Sequence, residues 1–114
     1  MDFPKRYDNI CQQMGDLGHM LPETMAAFSQ LHKASVSDGA LSGKVKELIA
    51  LGIAITVRCE GCIAFHVRDA IQAGATPEEI AETVGVAVLM GGGPSVVYGC
   101  EALEALEQFM VLAG

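Results

Sequence analysis

The stretch GKVKELIALGIAITVRCEGCIAFHVRDAIQAG, residues 43–74, contains the longest apolar run of the chain and its only two cysteines that lie close together. Ala, Ile, Leu and Glu are frequent in it, and no part alternates strictly between apolar and polar residues, so the pattern favours helix over strand. The pattern is interrupted near Arg58–Cys59. We therefore predict one helix that ends at about Val57, a tight break, and a second helix that stops at Gly74.

Upstream of this stretch, the sequence predicts two further helices. The first covers about residues 7–14 and ends near Gly15 or Gly18. The second begins at Pro22, because proline suits the first position of a helix. A loop rich in Gly and Ser, residues 35–41, then separates this helix from the central stretch.

Downstream of the stretch, the sequence TPEE at residues 76–79 is a helix start signal, since Thr76 can cap the helix and Glu79 can complete a capping box. This helix is predicted to end at GGGP, residues 91–94. Those glycines form a turn and not a phosphate-binding loop, because they follow no strand and lack a GK[ST] ending. A last helix is predicted over about residues 95–112.

The composition indicates one helical domain that associates with copies of itself. A chain of 114 residues can bury its own core, and we predict an all-α, single-domain bundle of five to six helices over residues 1–114. Apolar residues make up 51% of the chain, and the mean hydropathy is +0.36. The polar residues are too few to cover so much apolar surface, so we expect an obligate oligomer that buries part of it between subunits.

Charge and hydropathy exclude several classes of partner. The formal net charge of −7 and the pI of about 4.7 argue against binding to nucleic acid, which needs a cationic surface. No segment reaches the roughly 18 apolar residues that span a membrane, and the first residues, MDFPKR, lack the apolar core of a signal peptide. We therefore expect a cytoplasmic protein, in which a CxxC pair is redox-active or metal-binding rather than structural.

The candidate functional site is the motif CEGCIAFH, residues 59–66. Because residues three and four apart share one face of a helix, Cys59, Cys62 and His66 are predicted to line one stripe, with both cysteines in the first turn. There the helix dipole and the free N–H groups favour a thiolate, the nucleophilic form of cysteine. If the two central helices form an antiparallel hairpin, Glu47 comes within reach of His66 and can orient it as a proton acceptor.

Such a cluster predicts a thiol enzyme without a cofactor. One thiolate attacks a peroxide or a partner's disulfide, and the second cysteine resolves the product. We assign the attack to Cys62, which is nearest to His66, and the resolution to Cys59, although the helix dipole acts more strongly on Cys59. A thiol reductant protein must then restore the dithiol. The sequence contains no recognisable flavin, haem or nucleotide site.

Two alternatives stay open at this stage. The same cluster of Cys59, Cys62 and His66 could hold a metal ion as a binding or sensing module, although zinc sites usually have four good ligands. The protein could also be a non-catalytic oligomer with incidental thiols, which would show ordinary alkylation rates.

The remaining cysteines and histidines have no partner in the sequence. We predict that Cys11 and Cys100 are inert buried thiols, because free cysteine behaves mostly as a small apolar residue. His19 and His32 are predicted to be surface or interface residues.

With Glu47 upstream, the motif resembles the signature of the alkylhydroperoxidase D-like proteins of the carboxymuconolactone decarboxylase superfamily. The likeness continues through AIQAGATPEEI, residues 70–80, and covers about residues 41–106. It implies all-helical subunits that assemble as homo-trimers or homo-hexamers. It also implies a CxxC pair that cycles between dithiol and disulfide, with Glu47 and His66 as a proton relay.

The resemblance also bears on the reaction. Members that carry the CxxC pair resemble peroxidases or disulfide reductases, whereas the true lactone decarboxylases lack it, so decarboxylation is disfavoured. One departure concerns the residue between the cysteines. The peroxidase members often carry a histidine there and this chain has Gly61, so the proton relay is expected to be shorter.

Overall fold

Six α-helices make up the computed structural model, which describes residues 1–113. No β-strand occurs within that range, so the predicted all-α bundle of five to six helices is confirmed. None of the helices in the described range is both long and apolar enough to cross a membrane. The helices are α1 (Phe3–Met20), α2 (Pro22–Val36), α3 (Gly43–Thr56), α4 (Glu60–Gln72), α5 (Pro77–Gly91) and α6 (Gly93–Ala113).

Helix α1 is longer than the sequence predicted. The expected helix ended near Gly15 or Gly18, but both glycines lie inside α1, which covers Phe3–Met20. The helix starts early because the side chain of Asp2 caps it, accepting a hydrogen bond of 3.0 Å from the Lys5 N–H. It continues because a glycine inside a helix costs only about 1 kcal/mol, which the packing of α1 against α2, α4 and α6 outweighs.

The connection between α3 and α4 is a tight reversal over residues 57–59. Arg58 adopts the left-handed conformation, with φ of 60°, and its N–H donates to the Ile55 carbonyl at 3.2 Å. The Cys59 N–H donates to the Ala54 carbonyl at 3.0 Å, which completes the hydrogen-bond pair of a Schellman motif. The two helices therefore pack against each other as the predicted hairpin, and Cys59 becomes the N-cap of α4.

The predicted start of α5 is confirmed. The Glu79 N–H donates to the Thr76 hydroxyl at 3.1 Å, and the Thr76 N–H donates to the Glu79 carboxylate at 2.9 Å. This backbone hydrogen bond, together with the Lys44 ammonium 2.9 Å away, holds the pKa of the Glu79 carboxyl below its usual value. The Lys44–Glu79 ion pair thus links the start of α5 to the first turn of α3.

The hydrophobic core lies mainly between α3, α4, α5 and α6. Helix α2 contributes no buried residue and packs chiefly on α1 and α3. Because α2 stands outside the core, the space that it encloses with α1 and α4 remains open as a pocket. The largest fully buried apolar side chains are Phe3, Leu51, Ile55, Ile63, Val67 and Ile80.

Large apolar side chains remain exposed on α3 and α5. Ile53 is 58% exposed and Met90 is 75% exposed, and together with Ile49 and Val86 they line one groove between the two helices. A contiguous apolar face of this kind is typical of a protein–protein contact. The expected oligomer would cover it, and the number of subunits stays a prediction.

Glu101 on α6 is an unfavourable element of the fold. Its Oε2 atom is shielded from solvent and has no hydrogen-bond partner among the described residues. Burial raises the pKa of the Glu101 carboxyl, and the carboxylates of Glu60 and Glu104 raise it further. The native state therefore binds the proton more tightly than the unfolded chain does, so the fold becomes less stable as the pH rises from the ordinary carboxyl pKa through the raised pKa of Glu101.

Replacing Glu101 by Gln is accordingly expected to stabilise the protein at neutral pH. Removing the buried charge should raise the free energy of unfolding by about 1 kcal/mol, which is roughly 4 °C in Tm for a domain of this size. The gain should shrink as the pH falls toward about 4, where the wild-type carboxyl is protonated. Thermal unfolding at both pH values checks this, with Glu107→Gln on the exposed side of α6 as the control. An equal effect at both pH values would contradict it.

Candidate active site

The two cysteines of the CxxC motif form a disulfide at the start of α4. Their Cα atoms are 5.1 Å apart. Cys59 lies just before the helix as its N-cap, not in the first turn as predicted, and its Sγ accepts a hydrogen bond of 3.2 Å from the Cys62 N–H. The local structure places both sulfurs at the positive end of α4, where the dipole favours the thiolate form once the bond is reduced.

His66 and Glu47 meet across the hairpin of α3 and α4. The Nδ1 atom of His66 lies 2.8 Å from the Oε2 atom of Glu47, so the contact inferred from the hairpin is present. Glu47 is only 5% exposed. Because an ionised carboxylate can only accept, Nδ1 donates and the Nε2 atom of His66 is left as the basic nitrogen. His66 also stands one helical turn after Cys62, as its spacing predicted.

A pocket of about 400 Å³ opens over the disulfide, and Cys59, Cys62 and His66 form part of its wall. The sequence did not predict this pocket, because its far wall comes from α1 and α2, and the position of these helices relative to α4 is not visible in the sequence. The side chains of that wall are mostly apolar, so the pocket suits an organic molecule more than a small polar one. They include Ile10, Met14, Met25 and Phe28.

Gly61, between the cysteines, lets α1 approach the disulfide closely. A Cβ atom placed on Gly61 would lie 2.8 Å from the Cδ1 atom of Ile10, which is shorter than the van der Waals contact distance between two carbon atoms. Ile10 thus occupies the space above the motif that a side chain at position 61 would need. The histidine found at this position in the peroxidase members that the motif resembles would require the Ile10 side chain to shift.

His32 also belongs to the candidate site, which the sequence did not predict. It is exposed, as predicted, but it also lines the pocket with the cysteines. One of its ring nitrogens lies within 4.8 Å of carboxylate oxygens of Glu47 and Asp69, which are equally close to each other. One sequence signal could have placed His32 near the pocket. It follows Phe28, which also lines the pocket, by four residues, and therefore lies on the same face of α2.

His32, Glu47 and Asp69 are a group whose donor atoms converge in the described part of the chain. Two of the three already have partners. Glu47 accepts from His66, and the Oδ1 atom of Asp69 accepts from Arg68 at 3.2 Å. We therefore describe the three as a polar cluster and not as a ligand shell. The Cys59, Cys62 and His66 set differs again, because sulfurs joined in a disulfide offer no thiolate to a metal.

The prediction that Cys11 and Cys100 are buried is wrong. Both are exposed free thiols, because they lie on faces of α1 and α6 that do not pack against the core. Cys11 stands next to Tyr7, and burial of Tyr7 together with its hydrogen bond to Cys11 raises the pKa of the phenol to about 12. Tyr7 itself packs on Phe65 at a ring-centroid distance of 4.7 Å, which supports the wall of the pocket.

Comparison with known proteins places the chain among helical proteins of one family. Residues 22–105 match the family model of the Carboxymuconolactone decarboxylase family. An uncharacterized protein of Cupriavidus necator is 40% identical over 102 residues, which is 90% of each chain.

Two solved structures are similar over nearly the whole chain. The first is lpg0406 in its apo form, a carboxymuconolactone decarboxylase family protein of Legionella pneumophila. It superposes with a TM-score of 0.91 at 47% identity, covering 94% of this chain and 96% of that chain. The second is TM1620, a protein of the same family from Thermotoga maritima, with a TM-score of 0.74, 28% identity and coverage of 89% and 92%. A part in the antioxidative response has been suggested for the Thermotoga protein.

Proposed function

The chain belongs to the carboxymuconolactone decarboxylase family, and we propose that within it the protein is a thiol-dependent peroxidase or disulfide reductase of the alkylhydroperoxidase D-like kind. The observation that carries the proposal is the Cys59–Cys62 disulfide in the wall of a pocket, next to the paired His66 and Glu47. The role suggested for the Thermotoga relative agrees with it.

The proposed reaction is a two-electron oxidation of the dithiol. With a hydroperoxide, one thiolate takes the terminal oxygen to give a sulfenic acid and an alcohol, and the second thiol closes the disulfide and releases water. With a partner's disulfide, the two exchange steps leave the partner as a dithiol. Cys62 is the proposed nucleophile because it is one turn from His66, and Cys59, the N-cap, is the resolving thiol.

His66 and Glu47 supply the proton chemistry in this proposal. The Nε2 atom of His66 takes the thiol proton and returns it to the leaving oxygen or sulfur. Glu47 holds the ring through Nδ1 at 2.8 Å and stabilises the imidazolium that forms. Because Glu47 is buried beside His66, its charge acts on the ring with little screening by water.

The proposed cycle also requires a reductant, a cellular compartment that keeps thiols reduced, and an assembly of subunits. We propose that a thiol reductant protein in the cytoplasm returns the disulfide to the dithiol, since that compartment keeps thiols reduced. We further propose that the subunits form a homo-trimer or homo-hexamer that covers the apolar groove between α3 and α5. A metal-binding module on Cys59, Cys62 and His66 remains the alternative, and stoichiometric metal in the purified, reduced protein would favour it.

The proposal is tested by turnover with dithiothreitol as the reductant. Wild-type protein should consume cumene hydroperoxide or hydroxyethyl disulfide catalytically, and the doubly substituted Cys11→Ser, Cys100→Ser variant should do so equally well, because both of those thiols lie outside the pocket. Comparing the two substrates separates the peroxidase from the reductase. If neither substrate is turned over by the fully reduced wild-type protein, the proposed function is wrong.

A further inference from the structure

Two protons have to be moved in each turnover of the proposed chemistry. When the dithiol reduces a hydroperoxide, the first thiolate forms an S–O bond as the O–O bond breaks, and the alkoxide leaves with one proton. The second thiolate then forms the S–S bond as the S–O bond breaks, and the hydroxide leaves with the other proton as water. Both protons come from the thiols, so the site has to hold them between deprotonation and release.

The Glu47–His66 pair can hold only one of these protons beside the sulfurs. With Nδ1 bound to Glu47, His66 has one free nitrogen. Its ring faces the pocket, which a bound organic substrate would fill, and Glu47 is only 5% exposed. A further group beside the pair is therefore needed to hold the second proton until the hydroxide leaves.

Two polar side chains next to Glu47 provide such a group. A ring nitrogen of His32 on α2 and a carboxylate oxygen of Asp69 on α4 both lie within 4.8 Å of a Glu47 oxygen and of each other. Two carboxylates this close repel each other, and a protonated group between them relieves the repulsion. His32 is exposed to solvent and also borders the pocket, so it joins the buried carboxylate to water.

We propose that His32, together with Asp69, holds the second proton beside the Glu47–His66 pair, so that the site can hold two protons at once. This inference rests on the proposed thiol function. His32 acts through Glu47 and is a positioning residue for the relay. The separations of up to 4.8 Å exceed a hydrogen bond, so the proposal requires the exposed His32 side chain to move closer by a change of rotamer.

The charged groups around His32 determine how its replacement should change the pH profile of the reaction. The α1 side chains in the same pocket, Ile10 and Met14, carry no charge. Asp69 is paired with Arg68, and Glu47 is paired with His66. The titratable groups near His32 on α3 and α4 are Glu47, Cys59, Cys62, His66 and Asp69, and Arg68 contacts Asp69.

The test is the single-turnover rate of Cys59–Cys62 disulfide formation after reduced protein is mixed with cumene hydroperoxide. It is measured from about pH 5 to about pH 9, the range in which histidine titrates. His32→Gln should slow the step about tenfold and remove one ionisation from the pH profile. Asp69→Asn should act in the same direction, and His19→Gln, which changes an exposed histidine outside the pocket, should have no effect.

An unchanged rate and profile in His32→Gln would overturn the proposal, and so would a loss that is equal at every pH, because a purely structural role predicts that pattern. If the wild-type protein forms no disulfide with the hydroperoxide, the peroxidase function fails and the relay is judged by a second readout. Alkylation of reduced Cys59 and Cys62 by iodoacetamide should then change its pH dependence in His32→Gln and keep it in His19→Gln. Identical alkylation profiles would overturn the relay independently.

Discussion

Turnover is expected to disappear when either Cys59 or Cys62 is replaced by serine. A serine hydroxyl has the shape of the thiol, but it neither attacks an O–O or S–S bond at neutral pH nor forms a disulfide. Because the two cysteines act as a unit, each single change should cost on the order of 10³-fold or more in kcat/KM. Steady-state consumption of cumene hydroperoxide with dithiothreitol measures this. Substantial activity in either variant would contradict a dithiol mechanism.

The two serine variants should differ in the intermediate that they accumulate. If Cys62 is the nucleophile, one equivalent of peroxide converts Cys59→Ser protein to a sulfenic acid on Cys62, which dimedone traps and mass spectrometry detects. The Cys62→Ser protein should give little adduct. The opposite pattern would reverse the assignment of the two thiols and leave the dithiol cycle intact.

Loss of the disulfide should not unfold these variants. The two cysteines are only 3 positions apart, and the stabilisation that a disulfide provides grows with the length of the loop it closes. Thermal unfolding of each serine variant should therefore match that of the reduced wild-type protein. The Cys11→Ser, Cys100→Ser variant is the matched control, since it removes two exposed thiols that stand outside the pocket.

Replacing Glu47 by Gln is expected to give the second largest loss. The amide keeps the size of the side chain but removes the charge that orients His66 through Nδ1 and stabilises the imidazolium. General acid–base catalysis of this kind contributes roughly 10²- to 10⁴-fold, so kcat should fall about a hundredfold or more, with a smaller change in KM. The oxidation rate and the dimedone-trapping yield measure whether the attack step is the one affected.

The losses of activity caused by replacing Glu47 and by replacing His66 should not be additive. His66→Asn alone should cost about as much as Glu47→Gln, and the double variant should be little worse than either, because the two residues form one unit. Glu78→Gln on the exposed side of α5 is the control for loss of a carboxylate. Independent, multiplicative losses would mean that Glu47 supports the fold and not the chemistry.

The sequence predicted the elements around the active site well, because local signals define them. The capping box of Thr76 and Glu79 starts α5 where expected, and the break near Arg58 is a short reversal between two helices. The spacing of Cys62 and His66 therefore translated directly into positions one turn apart on α4, whereas Cys59 lies just before the helix as its N-cap. The Glu47–His66 contact followed from the hairpin, because equal distances from the turn place Glu47 beside about position 69, one helical turn from His66.

Other features could not be predicted because they depend on packing between distant helices. The pocket over the disulfide exists because α1 and α2 stand over α4, and neither helix shows this in its own sequence. For the same reason His32 was seen as a surface residue without a role, and Cys11 was placed in the core although its face of α1 is exposed. The extent of α1 was underestimated because Gly15 looked like a helix end, whereas packing carries the helix through it.

The central claim is that Cys59 and Cys62 form a reversible redox centre, and peptide mapping by mass spectrometry tests it most directly. Reduced protein would be treated with a small excess of peroxide, mapped, and mapped again after dithiothreitol. We predict that the peroxide produces a disulfide between Cys59 and Cys62, that Cys11 and Cys100 stay reduced, and that dithiothreitol restores the dithiol completely. If Cys59 and Cys62 instead stayed reduced while the exposed thiols reacted, the pair would not be a redox centre and the proposed function would be wrong.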